Sequence, residues 1–231
     1  MKREEHAREL LDGPVPAAER ALSLADVAWL NAWFAGNRLT LRAVRQASGP
    51  PAGAALRVLD VGGGSGDLAR RLMRWGRGRG RSVRVVVVDT EFDALRLARN
   101  TAPAGGGLLL VRADAAALPF RRGSMDVAVA ALVLHHLDPD AAVTALREMA
   151  TVARRGVVVS DLLRSRLSLV LVWLATRIFR CHPISRYDGP LSVRRAYAPE
   201  ELRVLARKAG LGRFEVRRHP LWGRLLAVVR A

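Results

Sequence analysis

The sequence has little cysteine, little lysine and no long apolar run. A single cysteine, Cys181, excludes a disulfide framework and a cysteine-rich metal site. The most apolar run, Leu167–Ala175, is far shorter than the roughly 20 residues that a helix needs to cross a bilayer. No apolar stretch follows the charged N-terminal residues, so no secretory signal is expected and the expected compartment is the cytoplasm.

Basic residues outnumber acidic ones by 38 to 21, which gives a formal net charge of +17. Only Lys2 and Lys208 are lysines, and 38 less 2 leaves 36 arginines. Because these arginines are spread along the chain, we interpret the excess as compositional and expect no nucleic-acid partner. A nucleic-acid partner stays the alternative, since folding can gather dispersed arginines on one face. Half of the residues are hydrophobic, which excludes wholesale disorder and supplies one domain with a core.

Short apolar runs alternate with helical patterns along the middle of the chain. Strands are predicted at Leu56–Val61, Val83–Val88, Leu108–Val111, within Met125–Leu134, and at Val157–Ser160. Helices are predicted between them, at Leu68–Trp75, Phe92–Asn100 and Pro139–Val152. This alternation predicts an α/β fold with five parallel strands and helices on both faces of the sheet.

The last third of the chain has a different pattern. A helix is predicted at Pro199–Ala209, and the strands Arg213–Arg218 and Arg224–Arg230 follow it. The connection between these strands is short, so they are expected to pair as an antiparallel hairpin. The sequence therefore predicts a Rossmann-like, seven-stranded mixed sheet.

Two segments lie outside this pattern. Residues 1–47 are predicted to form an N-terminal helical cap, with Ser23 as a helix cap and a break at Gly36. A Gly- and Pro-rich linker, Ser48–Gly53, separates the cap from a main domain at 54–231. Residues 162–198 are predicted to be a lid inserted into that domain. Cap and lid together contain seven of the twelve aromatic residues, among them Trp29, Trp33, Phe34, Trp173, Phe179 and Tyr187. We expect these six side chains to contact an apolar small molecule.

A glycine-rich loop follows the first strand, in Asp60-Val61-Gly62-Gly63-Gly64-Ser65-Gly66. The dinucleotide fingerprint needs glycine at its sixth place, which here is Asp67, so a pyrophosphate cofactor is not favoured. Two further carboxylates, Asp89 and Asp114, follow the second and third strands. Because parallel strands end at the same edge of a sheet, the three features predict one ligand site there.

This pattern resembles the class I S-adenosylmethionine-dependent methyltransferases over residues 54–161. The resemblance implies S-adenosylmethionine as cofactor, with the ribose held by Asp89 and the adenine beside Asp114 and Ala115. The implied cofactor-binding residues are Asp60, Gly62, Gly64, Gly66, Asp89, Asp114 and Ala115. Gly63 departs from the family pattern, in which a larger residue is common there. By analogy the chain also looks like a bacterial subgroup associated with polyketide- or quinone-like products.

Methyl transfer to a phenolic oxygen benefits from a general base, and three histidines are candidates. His135 and His136 follow the fourth strand, and His182 lies in the lid. None of them has metal-ligand spacing, so no metal is expected. The prediction is O-methylation of a small, largely apolar phenolic or polyketide-like metabolite, and the oligomeric state is left open.

Two alternatives stay open. The net charge suggests an RNA methyltransferase, which requires a basic rim around the cofactor site. A non-catalytic module of the same fold could contact a membrane surface through residues 162–180, where four arginines bracket the apolar run. The bracketing arginines are Arg164, Arg166, Arg177 and Arg180. We favour a buried lid helix over this membrane contact.

Overall fold

The protein is described by a computed structural model over residues 1–49, 55–103, 105–212 and 214–230, with the backbone alone for residue 230. Seven strands form one mixed sheet in the order β3-β2-β1-β4-β5-β7-β6. The strands are β1 Leu56–Val61, β2 Val83–Asp89, β3 Leu108–Arg112, β4 Met125–Ala131, β5 Ala153–Leu162, β6 Phe214–His219 and β7 Arg224–Arg230. The first five are parallel, and β7 pairs antiparallel with β5 and β6. The predicted sheet is confirmed.

Within these described ranges, eight α-helices surround the sheet. They are α1 Ala17–Trp33, α2 Gly36–Ser48, α3 Asp67–Arg77, α4 Phe92–Asn100, α5 Pro139–Val152, α6 Arg166–Ile178, α7 Pro183–Arg195 and α8 Pro199–Lys208. The central strands are apolar on both faces because helices cover both, with α2 and α3 on one side and α5 and α8 on the other. Asp138 caps α5, since its Oδ1 accepts a hydrogen bond from Ala141 N at 2.8 Å.

The N-terminal region does not form a single cap. Helix α2 packs on β4, β5 and β7, so it belongs to the layer that covers the sheet. The break precedes Gly36, since Ala35 adopts the left-handed conformation between α1 and α2. The prediction of a cap at Ser23 is wrong, because Ser23 is buried inside α1 and its Oγ lies 2.9 Å from Ser185 Oγ in α7. The predicted linker falls mostly on residues 50–54, which lie outside the described ranges.

Helix α7 has no counterpart in the predicted elements. Pro190 lies inside it, and an internal proline indicates a loop when only the sequence is considered. Packing against α6 favours the helix, since a Cβ at Gly189 would lie 3.0 Å from Val172 Cγ1. Gly189 therefore permits a close approach of α7 and α6, which together cover the carboxyl edge of the sheet. Within the ranges given above, none of the helices has both the length and the hydropathy that crossing a membrane requires.

At the opposite edge of the sheet, Asp126 is a buried carboxylate with two arginine side chains and one backbone amide as partners. It accepts hydrogen bonds from Arg57 N at 2.8 Å and Arg154 Nε at 2.8 Å, and Arg155 Nε lies 2.9 Å away. Burial alone would raise the pKa of Asp126, but these donors together hold it below its ordinary value.

We expect Asp126→Asn to lower the free energy of unfolding by about 2 kcal/mol at neutral pH, because an amide cannot balance the arginines. Urea unfolding would measure this change, with Asp140→Asn, at an exposed position of α5, as the control. The folded state holds the carboxylate at a lowered pKa, so its contribution is present at neutral pH and is lost as the pH falls through that value. Equal stability of both variants at neutral pH would contradict the assignment.

Candidate active site

The carboxyl ends of β1, β2, β3 and β4 border a cavity of about 380 Å³ beneath α1, α6 and α7. Among the predicted site residues, those that line it are Asp60, Gly62, Gly64, Asp89, Asp114, Ala115, His135 and His136. Gly66 and His182 lie outside the lining. The cavity therefore joins the glycine loop to the histidine pair that follows β4.

Left-handed backbone conformations shape the glycine loop. Gly62, Gly64 and Gly66 all have positive φ, at 63°, 52° and 74°. A Cβ at Gly62 would also lie 2.5 Å from Val133 Cγ2, so a side chain there would be both strained and obstructed. Gly66 does not face the cavity, but it begins α3 and allows that helix to approach Ala98.

Gly63 explains the departure from the family pattern. A Cβ there would lie 2.8 Å from Val87 Cγ1 and 2.9 Å from Asp60 Oδ2. In this conformation a larger residue would press on the Asp60 carboxylate. Asp60 Oδ2 is buried and has no hydrogen-bond partner among the described residues. Burial, together with the negative charges of Asp89 and Asp67, raises the pKa of Asp60 to about 8.

The two predicted aspartates after β2 and β3 also order their own turns. Asp89 Oδ2 accepts a hydrogen bond from Gly64 N at 2.8 Å, and its Oδ1 accepts one from Glu91 N at 2.9 Å. Asp114 Oδ1 accepts a hydrogen bond from Ala116 N at 2.8 Å. A carboxylate offers about four acceptor sites, so both aspartates keep acceptor capacity toward the cavity.

A buried histidine–carboxylate pair lies across the cavity from the glycine loop. His135 Nδ1 lies 2.6 Å from Asp161 Oδ1, and both side chains are almost fully buried. Burial alone would raise the pKa of Asp161, but His135 and the N–H of Leu162 hold it below its ordinary value. A carboxylate partner places the ring proton on Nδ1, which leaves the lone pair of Nε2 free.

A carboxylate from the N-terminal segment, Glu9, faces that free nitrogen. Glu9 Oε1 is buried without a hydrogen-bond partner and lies 3.6 Å from His135 Nε2. Its Oε2 lies 3.9 Å from His136 Nε2, and His136 Nδ1 lies 2.8 Å from Asp12 Oδ1. Burial raises the pKa of Glu9 to about 7, although His136 opposes the shift.

Long-range contacts hold the N-terminal segment in this place. Asp188 in α7 accepts hydrogen bonds from Leu10 N at 2.7 Å and Leu11 N at 3.1 Å. Buried Arg195 donates to the carbonyl oxygen of Ala7 and to those of His135 at 3.1 Å and His136 at 3.0 Å. Glu9, Asp161 and Arg195 could not be identified from the sequence, since no local motif marks their contacts with His135.

Glu9, His135 and His136 could also hold a divalent cation. One ligand atom from each lies within 4.8 Å of the others. Each histidine has a carboxylate at its other nitrogen, an arrangement that orients metal ligands in many proteins. The expectation that no metal is bound therefore stays a prediction.

A buried arginine completes the polar part of the cavity. Arg224 is 4 % exposed, and its Nε and Nη1 have no hydrogen-bond partner. Burial lowers the pKa of Arg224 to about 10, while Asp161 raises it. Apart from Arg20 and Arg224, the charged residues that line the cavity are carboxylates: Glu9, Asp12, Asp60, Asp67, Asp89, Glu91, Asp114 and Asp188. Such a lining repels phosphate and does not favour RNA as the substrate.

Several predicted substrate contacts do not lie at the cavity. His182 caps α7, where its backbone N donates to Asp26 Oδ2 at 2.7 Å, so we withdraw it as a candidate base. Tyr187 is exposed, whereas Asp188 lines the cavity. Of the six aromatic residues expected at the substrate, Phe34 alone is in the lining, which also includes Trp222. The rest of that expectation is wrong because the tryptophans of α1 and α6 face outward.

Comparison with known proteins agrees with this geometry. The family described as a methyltransferase domain matches residues 58–156, which contain the glycine loop, Asp89, Asp114 and both cavity histidines. The chain is 38 % identical over 124 residues to the ubiquinone/menaquinone biosynthesis C-methyltransferase of Hahella chejuensis, and the match covers 52 % of this chain and 47 % of that one. The chain thus spans about half the length of this curated relative.

Residues 58–156 are thus similar to the methyltransferase-domain family, in agreement with the resemblance that residues 54–161 carry. Solved structures of low sequence identity share the fold of this chain. A candidate O-methyltransferase of Nostoc punctiforme superimposes with a TM-score of 0.66 at 16 % identity, covering 97 % of this chain and 63 % of that one. Human N-acetylserotonin methyltransferase, in complex with its cofactor, has a TM-score of 0.63 at 17 % identity, covering 93 % and 56 %.

The cavity fits S-adenosylmethionine, the cofactor that the family resemblance implies. The cofactor has a positive sulfonium, an ammonium group and two ribose hydroxyls. The orphaned Oδ2 of Asp60 is a suitable partner for a positive group, and the free lone pairs of Asp89 suit hydroxyl donors. The glycine loop, which has no side chain between these carboxylates at residues 62–64, leaves room for a close approach.

We expect Gly62→Ala to weaken binding of S-adenosylmethionine by about tenfold or more, because the added methyl group meets Val133. Gly80→Ala is the matched control, since Gly80 has φ 62° and nothing within 4 Å of its Cβ position. Both variants carry the same left-handed strain of about 1 kcal/mol, and only Gly62 adds the contact. Titration calorimetry measures both, and equal affinities would contradict the role of the loop.

We expect the ligand-free protein to lose stability as the pH rises from about 4 to 8. Folded Asp60 keeps its proton to about pH 8, whereas the unfolded chain releases it near pH 4, so the folded state binds more protons in between. Asp60→Asn should flatten this dependence in melting experiments. Glu9→Gln measures separately how much Glu9, whose pKa is also raised, contributes to the same pH dependence. An unchanged slope in the Asp60 variant would contradict the raised pKa.

Proposed function

We propose that this chain transfers a methyl group from S-adenosylmethionine to an oxygen of a small, largely apolar, phenolic or polyketide-like metabolite. The observation that carries the proposal is the free Nε2 of His135, which faces the same apolar cavity as the glycine loop. Since the chain covers about half of its curated relative, the reaction of the whole protein is part of the proposal.

The cofactor is held at the ends of β1, β2 and β3. Asp60 accepts the positive end of the methionyl group, and Asp89 accepts hydrogen bonds from the ribose hydroxyls. Asp114 and Ala115 flank the adenine, as the family resemblance implies. Gly62 and Gly64 let the backbone approach the ligand, and Gly66 keeps α3 in the position that ends the loop.

His135 acts as the general base. Asp161 holds its ring through Nδ1, so Nε2 faces the space beside Glu9 and can accept the proton of a substrate hydroxyl. Asp161 is a positioning residue, because it acts through the imidazole and not on the substrate. Glu9 and His136 enclose the hydroxyl from the other side.

The buried charge of Arg224 favours a substrate with an acidic oxygen. Two buried guanidinium nitrogens of Arg224 have no hydrogen-bond partner within the described ranges, which is costly, and an anionic oxygen in the cavity would reduce that cost. A phenolate formed by proton transfer to His135 meets this requirement. Apolar side chains of α1 and α6 enclose the remainder of the molecule; they include Leu24, Val27, Leu171 and Val172.

Bond making and bond breaking are balanced within this arrangement. When bound, S-adenosylmethionine supplies an electrophilic methyl group on a positive sulfur. The substrate oxygen forms a bond to the methyl carbon as the sulfur–carbon bond breaks, and the sulfur keeps that electron pair. The hydroxyl proton moves to His135 Nε2. The chain contributes orientation, water exclusion and the base.

The test is a methyl-transfer screen against phenols and quinols, followed by variants at the two rival bases. We expect His135→Ala to lower kcat by about 100-fold or more, since a general base contributes about that factor. S-adenosylhomocysteine affinity should stay within about twofold, because His135 is not at the cofactor end. Asp161→Asn should also lower kcat by favouring the wrong tautomer.

His182→Asn is the matched control, because asparagine can still cap α7 and the side chain lies outside the cavity. Nuclear magnetic resonance of the product identifies the methylated atom. Full activity of the His135 variant, or a comparable loss in the His182 variant, would remove His135 as the base. Methylation at carbon alone would refute the oxygen assignment and leave the cofactor site standing.

A further inference from the structure

Helix α6 presents large apolar residues to solvent, whereas its inward side contains two buried polar residues beside the apolar ones that line the cavity. Its exposed large side chains are 40–68 % accessible, and they are Leu167, Val170, Trp173, Leu174 and Ile178. Ser168 and Thr176 on the inward side are fully buried. A helix on a protein surface usually exposes polar residues, so this apolar outward face is unusual. The expectation of a fully buried lid helix is therefore wrong for the outward face.

Helix α1 continues the same exposed surface. Leu22, Trp29 and Trp33 are 58 %, 42 % and 61 % exposed. The rings of Trp29 and Trp33 stack with centroids 5.5 Å apart, and Phe179 at the end of α6 packs edge-on against both, at 4.6 Å and 5.6 Å. The exposed apolar residues of α1 and α6, together with Phe179, form one continuous surface, which we name the outer apolar face.

Arginines flank this face where it lies on α6. Arg166, Arg177 and Arg180 are exposed, and Arg177 lies over the Trp173 ring at 4.3 Å. The sequence from 162 to 187 contains no Asp or Glu. The acidic groups of α1 are Glu19 near its start and Asp26, whose Oδ2 accepts a hydrogen bond from His182 N. The outer apolar face therefore has a positive border.

We propose that the outer apolar face docks on a lipid bilayer that contains anionic phospholipids. Exposed tryptophan and leucine with flanking arginine are typical of helices that lie in a membrane interface, where the rings enter the headgroup region and the guanidinium groups meet lipid phosphates. A second copy of the chain fits the face less well, because docking would bring two sets of arginines together on chains of charge +17.

The docked helices are also the ones that enclose the cavity. Leu24 and Val27 of α1 and Leu171 and Val172 of α6 line it from the opposite sides of the same helices. An apolar substrate could pass between the bilayer and the cavity with little exposure to water. This consequence rests on the proposed function, whereas docking itself does not.

Co-sedimentation of the full chain with vesicles tests the proposal. We expect binding to vesicles of phosphatidylcholine and phosphatidylglycerol, little binding to phosphatidylcholine alone, and weaker binding as the salt concentration rises. Replacing Arg166 and Arg177 by Gln should weaken partitioning about fivefold for each arginine. Trp33→Glu combined with Ile178→Glu should weaken it about tenfold or more, since both side chains would leave the interface.

Leu109→Glu is the matched control, because Leu109 is 62 % exposed on the edge strand β3, away from the outer apolar face. Every variant should bind S-adenosylhomocysteine normally, which shows that it is folded. Full binding by the Trp33 and Ile178 double variant, or an equal loss in the Leu109 variant, would overturn the proposal. If sedimentation velocity shows a dimer that the double variant no longer forms, and the chain does not bind vesicles, the outer apolar face would be assigned to contact with a second copy. Absence of methyl transfer would leave vesicle binding unaffected, so the two proposals fail separately.

Discussion

Parallel pairing of β1 with both β2 and β4 brings the carboxyl ends of these neighbouring strands to one edge of the sheet. The glycine loop, Asp89 and the histidine pair each follow one of these strands, so the pairing sets their spacing before any side chain contributes. A register shift between β1 and β4 would move the loop relative to His135. The site is thus a consequence of the central strand order, and the helices above it only complete its walls.

Several carboxylates are buried at the same edge of the sheet, and their negative charge is stabilised only where a positive group lies nearby. Asp161 is stabilised by His135, whereas Asp60 has an oxygen without a partner and Glu9 faces two histidines at distances longer than a hydrogen bond. An ionised carboxylate without a partner is disfavoured in such surroundings, which explains why burial raises the pKa of Asp60 and Glu9. A positive ligand at Asp60 and a hydroxyl at Glu9 would each satisfy a group that the protein leaves incomplete.

Most of the sheet could be predicted from sequence because its determinants are local. Valine runs identify β2 and β5, and Pro139 after Asp138 identifies the start of α5. The glycine loop could also be predicted from local sequence, because the left-handed conformation at Gly62, Gly64 and Gly66 favours glycine. Helix α7 could not be predicted, because Pro190 argues against it and the packing at Gly189 that favours it is a tertiary contact.

The base network could be predicted only in part. His135 follows β4 and Asp161 lies at the end of the neighbouring strand β5, so their places at the cavity follow from topology, but Glu9 reaches them from the N-terminal segment. The sequence also left the orientation of α6 undecided. A helix with apolar residues on several sides has no unique inward face, and here buried Ser168 and Thr176 pack inward while Trp173 and Ile178 stay outside.

Helices α1 and α6 are apolar on both the cavity side and the outer side, and one hydrophobic core does not account for both. The cavity explains the inner residues, such as Val27 and Leu171, because they enclose an apolar ligand. It does not explain Trp33 and Ile178, which lose hydrophobic stabilisation for as long as they face water. A bilayer supplies the second apolar environment and its anionic headgroups match the bordering arginines, so one surface accounts for both the exposed apolar side chains and the local charge.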